Sequence, residues 1–149
     1  MTIELIGDRW SLVVLRDLIF GTRTRFREML QHNIEGIASN VLASRLKKLT
    51  EAGLLVRSPH PEHRQGFDYF LTEPAIQLVP LIVELGAWGS DWLPTTPELA
   101  ERARMLSNGG DDLRERLMDE LRSIHIHHRG PSSGGVLASL DAVSANAST

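Results

Sequence analysis

The side chains best suited to chemistry in this 149-residue chain lie between Gly36 and Arg57, in the stretch GIASNVLASRLKKLTEAGLLVR. Leu42, Leu46 and Leu49 fall at i, i+4 and i+7 and share one face of a helix. Val41 and Arg45 flank that stripe, while Asn40, Ala43, Ser44 and Lys47 point the other way. A face of small, polar and basic side chains can hydrogen-bond base edges and phosphates. An asparagine can bond adenine bidentately, and an alanine can touch a thymine methyl. Ser39, Asn40, Ala43 and Ser44, in the N-terminal half, are therefore candidate base contacts, Asn40 foremost. Lys47 and Lys48, further along, are candidate phosphate contacts. Arg45, beside the apolar stripe, suits an intramolecular pair as well as a phosphate contact. An ordinary surface helix with a basic outer face would have the same composition.

The flanking residues say how such a helix would be held. It is expected over 39–52, with Ser39 or Ala38 at the N-cap position. Ser39 is the better cap chemically, because its hydroxyl can accept an N–H bond. Gly53 ends the helix, since glycine takes the left-handed conformation without steric cost. Leu54 to Arg57 reads as a strand, Ser58 to Gly66 as a polar loop containing Pro59 and Pro61, and Phe67 to Leu71 as a second, alternating strand. Together they predict a hairpin over 55–71 with His60, His63, Arg64 and Gln65 near its tip. Upstream, one helix is expected from Ile3 to Phe20, with Leu5, Ile6, Trp10, Val13, Val14, Leu15 and Leu18 on its apolar face and Gly21 as its stop. Thr24 can cap a short second helix that turns Phe26, Met29 and Leu30 inward. Downstream, Thr72 can cap a helix from Glu73 to Trp92, kinked at Pro80.

Composition narrows the function classes. The chain has no cysteine, which excludes disulfides, thiolate metal sites and thiol redox sensing. No uninterrupted apolar run approaches a membrane span, and Glu4, Asp8 and Arg9 interrupt the first ten residues in a way unsuited to a signal peptide. A soluble cytoplasmic protein is the expectation. The net charge of −3 argues against indiscriminate nucleic-acid binding. Charge is nonetheless uneven: Arg45, Lys47, Lys48 and Arg57 cluster with only Glu51 opposing, and Arg23, Arg25 and Arg27 form a second group. No glycine-rich phosphate loop, nucleophile–base pairing or distinct carboxylate pair points to an enzyme, and no cofactor is implied.

The segment Ile6 to Leu18, IGDRWSLVVLRDL, resembles the opening signature of the HxlR-type winged helix-turn-helix regulators, a branch related to MarR. The resemblance continues through Phe20-Gly21, Arg25-Phe26, Gly36-Ile37, Leu42 with Arg45-Leu46, and Leu49 to Leu54. Tyr69 with Leu71-Thr72-Glu73 and then Trp88-Gly89 complete it. It spans about Ile3 to Trp92 and implies a mainly α (α+β) fold: a winged helix-turn-helix with a two-stranded β-wing and flanking dimerisation helices. It further implies a homodimeric DNA-binding transcription factor. The chain departs from the family pattern in lacking an upstream Cys-Pro segment, so the thiol-based sensing of some members is not expected here. Ala38-Ser39 stands where Ser-Pro is usual at the recognition-helix start, and Ala75 replaces a glycine common after the Thr-Glu pair.

On this reading the protein is a sequence-specific regulator, a repressor, binding double-stranded DNA at an inverted repeat through the helix 39–52 and the wing 55–71. The alternative is a winged-helix module that docks on protein. Arg25 and Arg27 either clamp the DNA backbone or form a solvated charged surface. A wing lies along the minor groove, where arginine is favoured, so Arg64 is a candidate phosphate contact. His60, His63 and Gln65 accompany it, either as pH-dependent contacts or as solvent-exposed loop. Leu5, Leu78, Leu81, Ile82, Leu85, Trp88 and Trp92 are candidate dimer-interface residues, with intrachain packing of the tryptophans as the other possibility. A small-molecule effector is open, with Trp10, Phe20, Trp88 and Trp92 as candidate lining.

The domain reading is 3–92 for DNA binding, 93–128 as linker and helical extension, and 129–149 as a flexible tail. In the extension, Pro97 to Leu106 looks helical, Asn108-Gly109-Gly110 is a break, and Asp111 or Asp112 can cap a helix striped by Leu113, Leu117, Leu121 and Ile124. This region is a ligand-response element, a dimer extension or a dispensable addition. The Gly-, Ser- and Ala-rich tail carries at most a helical turn or two over Val136 to Val143. His125, His127 and His128 at i, i+2 and i+3 diverge on a helix, so no metal site is expected.

Overall fold

The computed structural model describes residues 1–147; Ser148 and Thr149, the end of the expected tail, lie outside the described residues. These residues form nine helices and a two-stranded antiparallel sheet: α1 (Thr2–Ile6), α2 (Arg9–Gly21), α3 (Phe26–His32), α4 (Ser39–Glu51), β1 (Leu55–Pro59), β2 (Phe67–Leu71), α5 (Glu73–Ile76), α6 (Val79–Trp92), α7 (Pro97–Asn108), α8 (Gly110–His125) and α9 (Val136–Ala147). The chain divides into two compact units, one ending at Ile76 and the other beginning at Gln77. That boundary falls inside the segment expected to be one domain from 3 to 92.

The first unit is built on α2. Val13, Val14, Leu15, Leu18 and Ile19 are buried along it, and α4 packs on it through Leu42, Leu46 and Leu49. Burying a leucine fully is worth about 1.5–3 kcal/mol, so this stripe is what orients α4. The C-terminus of α4 is a Schellman motif. Leu54 N–H donates to Leu49 carbonyl at 2.9 Å and Gly53 N–H to Thr50 carbonyl at 3.0 Å, with Gly53 at φ +79°. Leu49 and Leu54, the apolar pair of that motif, are both buried. Gly53 therefore turns the chain from α4 straight into β1, which pairs with β2 in the register Leu55↔Leu71 to Pro59↔Phe67.

Several expected boundaries are corrected. The single helix Ile3–Phe20 is broken into α1 and α2, because the Asp8 carboxylate accepts the Ser11 N–H and caps α2 anew. Thr24 does not cap α3; Arg25 occupies that position, and the Thr24 hydroxyl donates to Asp68 instead. The N-cap of α4 is Ala38, without a side-chain bond, and Ser39 is its first helical residue. The Thr72 hydroxyl donates to Gly53 carbonyl at 2.7 Å, closing the mouth of the hairpin. Pro80 does not kink one helix but separates two: it lies in the first turn of α6, where its missing N–H costs nothing. Gly109, not Asp111 or Asp112, precedes α8.

The second unit folds α6 to α9 together. Leu117, Met118, Leu121 and Ile124 of α8 are buried, as are Ala100 and Leu106 of α7. Arg114 of α8 pairs with Glu84 of α6. Within the segment expected to be a flexible tail, α9 buries Val136, Leu137 and Leu140. Glu120 of α8 accepts the Leu137 N–H at 3.3 Å, and Arg102 of α7 donates to the Ser144 hydroxyl at 3.0 Å. Polar Gly- and Ser-rich flanks conceal this short apolar stripe in the sequence. Leu140→Ala is expected to lower the unfolding free energy by about 2–5 kcal/mol, measured by denaturant titration of the second unit's helical signal. A flexible tail would give no change.

Candidate nucleic-acid interface

Seating the leucine stripe on α2 leaves the opposite face of α4 in solvent. Ser39, Asn40, Ala43, Ser44 and Lys47 are all exposed, along successive turns of one helix. Among the described residues, Lys47 has only a loose i, i+4 partner, Glu51 at 3.9 Å. The structure thus brings together on one surface the proposed base contacts and one proposed phosphate contact.

Two polar assemblies fix α4 beneath that surface. The first is centred on Asp8. Its Oδ1 accepts from the Ser11 N–H (3.0 Å) and Arg45 Nε (2.8 Å), and its Oδ2 from the Ser11 hydroxyl (2.6 Å) and Lys48 Nζ (2.9 Å). Lys48 also donates to Glu4 carbonyl at 2.9 Å. Desolvation alone would raise the Asp8 pKa, but the hydrogen bonds from Ser11, Lys48 and Arg45 outweigh it and hold the carboxyl well below the usual range. Arg45 therefore takes the intramolecular role that its position allowed. Lys48, a candidate phosphate contact, donates to the same carboxylate in the DNA-free chain.

The second assembly locks the α3–α4 turn. Arg16 of α2 binds Asp17 (Nη2 to Oδ1, 2.7 Å) and Glu35 (Nη2 to Oε2, 2.7 Å, with Nη1 on Oε1). Asn33 donates to Asp17 Oδ2 at 2.8 Å and accepts the Ile37 N–H at 2.9 Å. The Arg16 bonds are the chief cause holding the Glu35 carboxyl below its ordinary value, and Glu35 in turn raises the Arg16 guanidinium. Sequence reasoning missed Asp8, Arg16, Asn33 and Glu35 as positioning groups. Their only signal was charge or amide within otherwise apolar or loop segments.

The wing is anchored at its base. Tyr69 N–H donates to Thr24 carbonyl at 2.8 Å, and Arg25 forms an isolated β-bridge with Asp68. Asp68 is buried and accepts the Thr24 hydroxyl at 2.8 Å, with His60 Nε2 at 3.8 Å. His60 also meets Arg25. The His60 side chain is 9% exposed, so it is corrected from tip contact to base anchor: its Nε2 accepts from the Arg25 guanidinium beside the buried Asp68, whose carboxylate is bonded by the Thr24 hydroxyl. Arg25 is turned to the same cluster. His63, Arg64, Gln65 and Arg27 are exposed. Arg57, not singled out as a site residue, lies over the Phe67 ring at 4.0 Å.

Of the other expected residues, Leu81, Leu85, Trp88 and Trp92 form an exposed stripe on α6, with Trp88 56% and Trp92 74% accessible. Leu5, Leu78 and Ile82 are half-buried. Trp10 is half-buried with the Arg9 guanidinium 4.5 Å from its ring, and Phe20 is half-buried on α2. His125 is buried while His127 and His128 are exposed. Among the described residues no three His, Cys, Asp or Glu side chains converge as a metal site would require, and no helix is long and apolar enough to cross a membrane.

Comparison with known proteins places this geometry. The model of the HxlR-like helix-turn-helix family matches residues 5–97. The HTH-type transcriptional regulator Rv3095 of Mycobacterium tuberculosis is 42% identical over 92 residues, covering 62% of this chain and 56% of the relative. The regulator BH0655 of Halalkalibacterium halodurans is 36% identical over 88 residues, covering 59% of this chain and 77% of the relative. The match thus takes in about half the length of the mycobacterial relative. The solved structure of PA1607, a candidate transcription factor, matches with TM-score 0.56 and 37% identity over 64% of each chain. That of the reduced transcriptional regulator YodB from B. subtilis matches with TM-score 0.52 and 28% identity over 61% of this chain and 87% of its own. These relatives bear the names of transcriptional regulators or, for PA1607, of a candidate transcription factor, and the winged helix expected from sequence is the fold found.

The depressed carboxylates predict a sign for pH dependence. A folded pKa below the unfolded value, about 4 for these side chains, gives stability that is present above that value and lost as pH falls through the folded one. Asp8→Asn and Glu35→Gln are therefore expected to be less stable than wild type at pH 7, with the gap narrowing progressively below about pH 4. Urea titrations across that range check this, and a gap independent of pH would contradict it.

Proposed function

Because the chain belongs to the HxlR-like helix-turn-helix family, we propose that it is a homodimeric, sequence-specific DNA-binding repressor whose α4 enters the major groove of an inverted-repeat operator. The observation that carries this reading is the outward face of α4, where Ser39, Asn40, Ala43, Ser44 and Lys47 are exposed along a helix held from behind. On this reading Asn40 is the leading base contact, with Ser39, Ala43 and Ser44 beside it. Lys47, Arg27 and the wing's Arg64 meet phosphates. His63 and Gln65 follow the wing toward the minor groove.

The apolar stripe of α6 supports dimerisation. Leu81, Leu85, Trp88 and Trp92 lie at i, i+4, i+7 and i+11, a spacing that keeps large side chains on one face. Exposed tryptophans aligned in this way suit the core of an interface. A two-fold dimer sets half-sites about one helical turn, or a multiple, apart.

A gel shift against DNA flanking the protein's own gene tests the reading. Binding is expected at low salt and falls steeply as salt rises. Absent or salt-insensitive binding would overturn it in favour of a winged helix that docks on protein. Asn40→Ala is expected to weaken operator binding by about 1–3 kcal/mol while hardly changing binding to random duplex. Lys47→Ala should weaken both alike, and equal losses on both probes for Asn40→Ala would remove its role as a reader. Sedimentation of Trp88→Lys/Trp92→Lys should give monomer where wild type gives dimer; an unchanged dimer would place the interface elsewhere. Transcription in vitro from a template carrying the bound site is expected to fall on adding the protein, and a rise would make it an activator.

A further inference from the structure

The recognition helix carries three basic residues, Arg45, Lys47 and Lys48, and two of them are held by one carboxylate outside the helix. Asp8 receives four donors on its two oxygens, which fills the lone-pair capacity of a carboxylate. Each donor does different work. The Ser11 pair fixes Asp8 at the N-terminus of α2, so the carboxylate cannot follow a moving α4. Arg45 Nε at 2.8 Å and Lys48 Nζ at 2.9 Å then tie two successive turns of α4 to that fixed point. Lys48 is further restrained by the Glu4 carbonyl at 2.9 Å. Both cations are only partly exposed, with side chains 28% and 35% accessible. Lys47 is 77% accessible, and its partner Glu51 stands 3.9 Å away.

We propose that Asp8 is a specificity-determining positioning residue, which withholds Arg45 and Lys48 from the phosphate backbone so that α4 docks with Lys47 as its outward cation and with its base-reading face correctly turned. The proposal rests on the DNA-binding reading above. Phosphate contacts add affinity to any sequence, whereas base contacts discriminate. The single Asp8 carboxylate offsets one of the two charges and draws both side chains inward, which lowers sequence-independent affinity. Arg45 Nη1 also donates to the Ser44 hydroxyl at 3.3 Å, so one base-reading side chain is held by the same assembly, and the ratio of specific to random binding rises. The net charge of −3 already disfavours indiscriminate binding, and the Asp8 pairing offsets part of the local basic charge on α4 that works against it.

The test compares wild type, Asp8→Asn and Arg45→Gln/Lys48→Gln on a random-sequence duplex and on a duplex selected by the wild type, with salt titrations and circular dichroism of each protein. Asparagine can still accept the Ser11 N–H, so the α2 cap survives. Asp8→Asn is expected to bind random duplex more tightly and to steepen the slope of log affinity against log salt by roughly 1–2, as the two released cations reach phosphates at about 0.9 each. Its preference for the selected duplex should fall. Arg45→Gln/Lys48→Gln should leave the wild-type slope unchanged. A slope shallower by roughly 1–2 in that double variant would show that both cations already meet phosphates, and would overturn the proposal. So would an Asp8→Asn protein that folds but loses affinity on both probes at the wild-type slope, the signature of a purely structural role. If Asp8→Asn fails to fold, the double variant decides alone. Failure of the DNA reading is distinguished in the wild-type curve, which would then show no duplex binding at low salt.

Discussion

The burial of Leu42, Leu46 and Leu49 against α2 is the constraint on which the first unit depends. One helix cannot bury that stripe without presenting its opposite side to solvent, and the opposite side carries Ser39, Asn40, Ala43, Ser44 and Lys47. The same burial places Leu49 beside Leu54, which lets Gly53 close the Schellman motif and start β1 in register with β2. Apolar packing thus sets the direction of the helix and the position of the wing together.

Packing alone leaves a helix able to roll or slide on its seat, since dispersion and hydrophobic burial are non-directional. The polar assemblies supply the direction. Arg16, Asp17, Asn33 and Glu35 hold the turn before α4, and Asp8 holds Arg45 and Lys48 along its length. One assembly holds the turn that enters α4 and the other its middle and C-terminal half, both anchored at α2 or its cap. Thr24, His60 and Asp68 do the equivalent for the wing, by joining it to the start of α3. The arrangement ties α4 to α2 by directional bonds and gives part of its basic charge an internal partner.

The amphipathic period of α4, the glycine stop and the alternating strands were legible in sequence because each is a local property, visible within about ten residues. What was not legible is what requires a distant partner. Asp8 looks like a stray charge in an apolar stretch until Arg45 and Lys48, 37 and 40 residues away, are brought to it. His60 looks like loop tip until Asp68 is buried beneath it. The split of the first helix follows from the same carboxylate, whose capping of Ser11 competes with helix continuation. Pro80 was recognised as a disruption, but a kink and a fresh helix start both accommodate its missing N–H, so the residue type alone does not choose between them. In α9, a short apolar stripe at Val136, Leu137 and Leu140 was masked by the polar composition around it, since composition averages over the residues that matter.

Hydrogen exchange on the protein with and without the bound duplex tests the central claim most directly, because it reports which backbone is covered. Slowed exchange is predicted in the first turns of α4, from Ser39 to Lys47, and at the wing tip from Pro61 to Gln65, with the α2 core unchanged. Protection confined to other segments, with α4 exchanging as in the absence of DNA, would contradict the account.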